Sequence, residues 1–186
     1  ENTTGADNVA VGANALDENT TASYNVAVGR NALGANVTGE RNTAIGNASL
    51  LNNTGTTNTA VGDRALNTNT TGGYNTAVGS EALEANTTAF NNVAVGWRAL
   101  HSNTTGTANV TVGTSALQAN TTANNNTAIG HSALHLNTTG TQNTAVGAYA
   151  LDANTTSNSN TGIGYQALGA NTTGDQQTAV GTYSLY

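Results

Sequence analysis

Small, β-branched and polar residues alternate along this chain in a pattern that returns at a fixed interval. The easiest mark to follow is a Gly preceded by Val or Ile: Gly12, Gly29, Gly46, Gly62, Gly79, Gly96, Gly113, Gly130, Gly147, Gly164 and Gly181. Successive marks lie 17 residues apart, except Gly46 to Gly62, which lie 16 apart. The missing residue falls near Asn52–Gly55, where NNTG replaces the usual A-NTTG, and a gap in the spacer before Asn52 preserves the phase of the Asn that follows it. The consensus reads N-[TV]-A-[VI]-G-x-x-A-L-x-x-N-T-T-G-x-x over eleven units. Self-similarity at such a period marks a stacked repeat, in which each unit buries its apolar face on its neighbours.

Position types within a unit are narrow. Val or Thr always stands two residues before the Val or Ile that precedes Gly, with Ala between them except at Thr111 and Gly162. The fourth residue after each Gly is always Leu, from Leu16 to Leu185. The run N-T-A-V-G is β-branched at alternate positions, which suits a strand, and Gly closes it at a corner. A helix would carry Asn, paired Thr and Gly in every unit, all poor helix formers. The pattern therefore predicts an all-β parallel β-solenoid (a β-roll), eleven coils of about 17 residues, each with two short strands and two corners. Residues 1–186 form a single repeat array, expected to be an excerpt of a longer fibre because the final phase is the one in which the first residue resumes.

Stacking predicts vertical files about 4.8 Å per step, in a rod roughly 50 Å long. Leu16, Leu33 and Leu50 form one file; Val11, Val28 and Ile45 form another. The Asn before the strand, as at Asn25 and Asn42, recurs in ten units, with Gln177 in the last. Such Asn either pair their amides up the rod or simply make turns. The strand carries [TV] and [VI] on one face and Ala on the other, with no charge on either in any copy. A strand apolar or small on both faces is covered on both. One face meets the coil interior; the other is expected to be buried against further copies of the chain, a threefold assembly being the simplest for a fibre.

These residues also resemble a known family. N-T-A-V-G-x-x-A-L is similar to the N-S-V-A-I-G type motif in the heads of trimeric autotransporter adhesins, and the longer pattern with N-T-T-G resembles phage tail-fibre-like repeat arrays. The resemblance covers the whole chain, although the period here is longer than in those heads. It implies a left-handed parallel β-roll assembled as a parallel homotrimer, in an extracellular, cell-surface or virion fibre.

Composition agrees with a thin stacked core. Asn (30) and Thr (35) dominate, while Leu, Ile, Val and Phe number only 30 of 186 residues. Low charge and strict periodicity separate the chain from a disordered tract of similar hydrophobicity. The net charge of −6 and four scattered Arg argue against nucleic acid. Neither Cys nor Pro is present, so there is no disulfide framework and no interruption of a ladder by Pro.

Candidate chemistry is sparse. No catalytic constellation, cofactor motif, small-molecule substrate site or metal site is legible. His101 and His135 sit two coils apart and His131 at another position, while Asp17, Glu18, Asp63, Glu81, Glu84 and Asp152 read as exposed solubilising charge. N-x-[ST] sequons recur in register at Asn2, Asn19, Asn36, Asn52, Asn69, Asn86, Asn103, Asn120, Asn137, Asn154 and Asn171, with extras at Asn47, Asn109 and Asn125. They read either as a stripe of N-glycosylation or as turn chemistry. The two positions after each Gly vary most and hold Arg30, Arg64, Trp97, Arg98, His131, Tyr149, Tyr165 and Tyr183. Trp, Tyr and Arg favour binding hot spots, so these residues form a candidate recognition stripe, against a background of simple drift at an exposed corner. The expected function is a structural and adhesive fibre segment acting by multivalent attachment to a host-surface glycan or protein. A glycan-coated filament without a receptor is the first alternative. An ice-binding solenoid that uses one Thr of each pair is the second.

Overall fold

A computed structural model describes residues 2–186. Eleven three-residue strands form one parallel sheet in sequence order: β1 (Val9–Val11), β2 (Val26–Val28), β3 (Thr43–Ile45), β4 (Thr59–Val61), β5 (Thr76–Val78), β6 (Val93–Val95), β7 (Val110–Val112), β8 (Thr127–Ile129), β9 (Thr144–Val146), β10 (Thr161–Ile163) and β11 (Thr178–Val180). Each strand pairs with the next at equivalent repeat positions, Val9 opposite Val26 and Thr43 opposite Thr59, so register survives the short unit. The predicted all-β parallel solenoid is thus present, and the Leu residues form the predicted single file within one core cluster.

The second strand of each coil is not. Between Gly and the next Asn the chain runs through consecutive turns, and every coil holds three non-Gly residues at positive φ: the second after Gly (Asn31, φ 58), the Leu (Leu33, φ 49) and the fifth before Gly (Arg41, φ 58). Left-handed conformations at non-Gly residues are uncommon and cost energy, so the surroundings must hold them. Inter-coil backbone bonds do so: Leu33 N–H donates to Ser49 O (3.0 Å), and Asn31 N–H to Ala13 O (2.9 Å). Alternation of β-branched residues marked the one real strand; nothing in the local composition distinguishes a second strand from a ladder of turns.

The strand faces sort by size. Ala27, Ala44, Ala60 and their equivalents in later coils point inward and are buried with the Leu file and the Ala or Ser preceding most Leu residues, while Ala10 in the first coil is exposed. Thr111 fills one such place and satisfies its hydroxyl by donating to Val93 O (3.0 Å). Val11, Val28 and Ile45 do stack as a file, but on the outside of the rod, together with the [TV] file. The interior therefore holds Ala, Leu and Asn, and the Val/Ile file lies outside it. The cross-section is narrow, and only methyl-sized strand residues fit opposite Leu.

The Gly file is fixed by close approach as well as conformation. A Cβ on Gly96 (φ 132) would sit 2.6 Å from Gly113 O in the next coil. No larger residue fits there.

Two Asn files line the interior. In the first, Asn25 Oδ1 accepts from Asn42 N–H (2.9 Å), while Asn25 Nδ2 donates to Gly39 O (2.9 Å). Of the two readings open from the sequence, these Asn do bond up the rod, though chiefly from side chain to main chain. Amide-to-amide bonds join only part of the file, as from Asn109 Nδ2 to Asn92 Oδ1 (3.2 Å). Asn160 Nδ2 lacks a partner next to the place where Gln177 ends the series. The second file is the Asn of N-T-T: Asn86 Nδ2 donates to Asn69 Oδ1 (2.7 Å), Asn120 Nδ2 to Asn103 Oδ1 (2.8 Å), and each also donates to the carbonyl three residues on.

Candidate recognition stripe

Each Gly corner places two variable residues at one edge of the rod, most of them outward although Ser115 and Ser132 are buried, and the backbone pins their spacing. The second residue after Gly donates its N–H to the first of the previous coil, as from Arg98 to Ser80 O (3.1 Å), Ser115 to Trp97 O (2.9 Å) and Tyr149 to His131 O (2.9 Å). Side chains two or more coils apart therefore line one edge of the rod without a groove to gather them.

The central part of this edge is charged. Arg64 pairs with Glu84 Oε1, and Arg98 Nε donates to Glu81 Oε2 at 2.6 Å. The Arg98 guanidinium also lies 4.8 Å from the centroid of the half-exposed Trp97 ring, within cation–π range. His101 Nε2 sits 3.2 Å from Glu84 Oε2 and 3.8 Å from Glu81 Oε2. Glu84 is only 8 % exposed, which corrects its reading as surface charge. It occupies the fifth position after Gly, where side chains fold along the coil, so Arg64 and His101 cover it.

Further along, the edge becomes aromatic. His131, Tyr149, Tyr165, Tyr183 and Tyr186 form a continuous edge-to-face file, with centroid separations of 5.1, 6.1, 5.4 and 5.7 Å. Such geometry is favourable between rings, and Tyr165 and Tyr183 remain exposed within it. Tyr186 joins this file through the fifth position after its Gly, a continuation the sequence reading missed. Arg30 stands apart from both groups, towards the first coils. In the coil of β9, close to His131 and His135, Asp152 has a buried Oδ1 without a hydrogen-bond partner. Burial raises its pKa above the ordinary carboxylate value, and the charges of His135 and His131 partly oppose that rise.

The sequons divide into two kinds. Asn19, Asn36, Asn69, Asn86, Asn103, Asn120, Asn137 and Asn154 are at most 1 % exposed, and each donates through Nδ2 to a main-chain carbonyl. A glycan on Nδ2 has no room there and would replace one of the two amide hydrogens that this nitrogen donates. Asn171 is half-buried in the same file, and Asn2 is exposed at its start. Asn52 is exposed as well, because Asn53 takes the interior place and Asn69 Nδ2 donates to Asn53 Oδ1 (2.6 Å). The gap in the short unit therefore follows Asn53 rather than preceding Asn52. Of the extra sequons, Asn47 and Asn125 are exposed and Asn109 is buried.

Comparison with protein-family models, with characterised proteins and with solved structures finds no match.

Proposed function

We propose that this chain is a structural and adhesive segment of an extracellular fibre, on a cell surface or a virion. In this reading three parallel copies pack their strand faces together and turn their Gly-corner stripes outward. The observation that carries the reading is the outward [TV]/[VI] face. Eleven strands present two β-branched side chains each, in register and without a single charge, and the exposed members include Val11 (57 %), Ile45 (40 %) and Val112 (39 %). At roughly 50 Å² apiece these present on the order of 1,000 Å² per chain, beyond the patches monomers usually leave in water and of the size one partner buries in a specific interface. The face runs without a break along one in-register sheet, so identical copies can repeat the same contact at each coil, and a closed threefold arrangement would leave none of it exposed.

The outward edge supports attachment. Its Arg, Trp and Tyr residues are spread over many coils rather than gathered in a pocket, which suits repeated weak contacts to a host-surface glycan or protein. A glycan-coated filament is a weaker reading, since most in-register sequons are interior. Ice binding moves from the Thr pairs, whose Asn neighbour is buried, to the strand face itself, where Thr43, Thr59 and Thr76 stand beside Ile45, Val61 and Val78.

Sedimentation equilibrium of the chain, alongside Val95→Arg, tests the proposal. Three chains should travel together, and an arginine in the middle of the face should release monomers. A wild-type monomer that shows thermal hysteresis would assign the face to ice; a wild-type monomer without it would overturn the fibre reading.

A further inference from the structure

Part of the charged edge forms a cluster that recognition of a surface ligand does not require. Glu81 and Glu84 belong to the coil of β5 and His101 to the coil of β6. One carboxylate oxygen from each Glu and one imidazole nitrogen lie within 4.8 Å of one another. We propose that Glu81, Glu84 and His101 bind one divalent cation of the Zn²⁺ class and so tie two adjacent coils together.

The donor set selects the ion. One imidazole and two carboxylates suit a borderline transition cation, whereas Ca²⁺ takes six to eight oxygens and Mg²⁺ keeps an octahedral shell of them. Three protein ligands leave the fourth tetrahedral position to water. Ligand atoms on a tetrahedral Zn²⁺ stand roughly 3.3 Å apart, as follows from metal–ligand distances near 2.0 Å. The pair of His101 Nε2 and Glu84 Oε2 already matches at 3.2 Å, and Glu81, at 3.8 Å, needs only a small side-chain shift.

The scaffold is built for this geometry. Glu84 and His101 occupy the same repeat position in consecutive coils, and Ala85 N–H donates to His101 O (3.0 Å), fixing their backbones one coil apart. Ser102 Oγ lies 3.3 Å from His101 Nδ1, which turns Nε2 towards the carboxylates. Arg64 takes Glu84 Oε1 and leaves Oε2 free to face the ion, the role of an orienting outer ligand. Arg64 and Arg98 balance the two carboxylates before any ion arrives, so the cluster holds together without metal, and the entering cation competes with them.

The test uses the untagged chain and Zn²⁺ alone, by calorimetric titration, with Co²⁺ absorption as a second probe. One ion per chain is expected. His101→Ala and Glu84→Gln should each weaken binding at least about tenfold, and His135→Ala should leave it unchanged. Carbethoxylation of the wild-type histidines, mapped by mass, covers the case in which a variant fails to fold: Zn²⁺ should protect His101 while His131 and His135 react as before. Absence of saturable binding, undiminished binding in His101→Ala, or equal protection of all three histidines would overturn the proposal. These readouts are counted per chain and stand whether or not the chains associate.

Discussion

The interior Asn file makes the sharpest demand on sequence, and Asn92 in the coil of β6 tests it. Its side chain is fully buried. Oδ1 accepts from Asn109 N–H (3.0 Å) and Nδ2 donates to Gly106 O (2.9 Å). Replacing Asn92 by Ala leaves Gly106 O served by Asn103 Nδ2 (2.9 Å), but it orphans Asn109 N–H inside the rod. An unsatisfied buried donor costs about 1–3 kcal/mol, and an unfilled amide-sized space adds about 1 kcal/mol, so Asn92→Ala should lose about 2–4 kcal/mol. Asn92→Asp keeps the acceptor but sets a carboxylate against Gly106 O and Asn75 Oδ1, two acceptors that now face a third. Its folded-state pKa must then exceed the unfolded value. The cost is absent below the ordinary carboxyl range and grows as pH rises through the folded pKa, so the variant should be weakest near neutrality and recover in acid. Urea unfolding and hydrogen exchange at the Asn109 amide measure both effects. Because coils interact chiefly with neighbours, exchange should rise first around β6 and β7. Asn92→Ala within about 0.5 kcal/mol of the parent, with Asn109 still protected, would refute the account of the file as a hydrogen-bonded spine.

Four further outcomes follow from the same geometry. Gly96→Ala should cost at least about 3 kcal/mol in urea unfolding, since φ and the contact with Gly113 O both forbid a Cβ. Gly34→Ala, where the nearest obstacle is the flexible end of Leu51 at 3.1 Å, should cost less than about 1 kcal/mol or be mildly stabilising. Thr57 holds φ 59 with a β-branched side chain, so Thr57→Asn should raise the melting temperature by a few degrees, equivalent to about 0.5–1 kcal/mol, provided that Thr57 N–H still reaches Glu40 O. Asp152→Asn should stabilise the rod at about pH 7 and lose that advantage towards about pH 3: with the folded-state pKa raised, the cost is absent while both states are protonated, sets in as the unfolded carboxyl ionises and is complete above the folded pKa. A melting-temperature difference that does not change with pH would reject that assignment.

The primary sequence settled the period, the strand and the vertical files, because a solenoid converts a 17-residue interval into contact between neighbours and writes each position eleven times. Leu in every unit, Ala between two β-branched residues and Gly after them are local statements of a single stacking rule, legible without coordinates. Position along the chain could not reveal which strand face is inside. Ala and Val are both apolar, and only the narrow cross-section opposite Leu admits the smaller. Nor could it separate the two meanings of N-T-T: as a motif it is a glycan acceptor or a turn, and only the closed coil turns Asn86 and Asn103 inward to become a spine. The second strand gave way to left-handed turns at residues such as Leu33 and Arg41, whose conformation is imposed by bonds to the next coil rather than by their own preference. The cluster of Glu81, Glu84 and His101 is likewise tertiary. Glu84 and His101 share a repeat position in consecutive coils while Glu81 comes from another position, and their meeting depends on how far each side chain reaches around the corner.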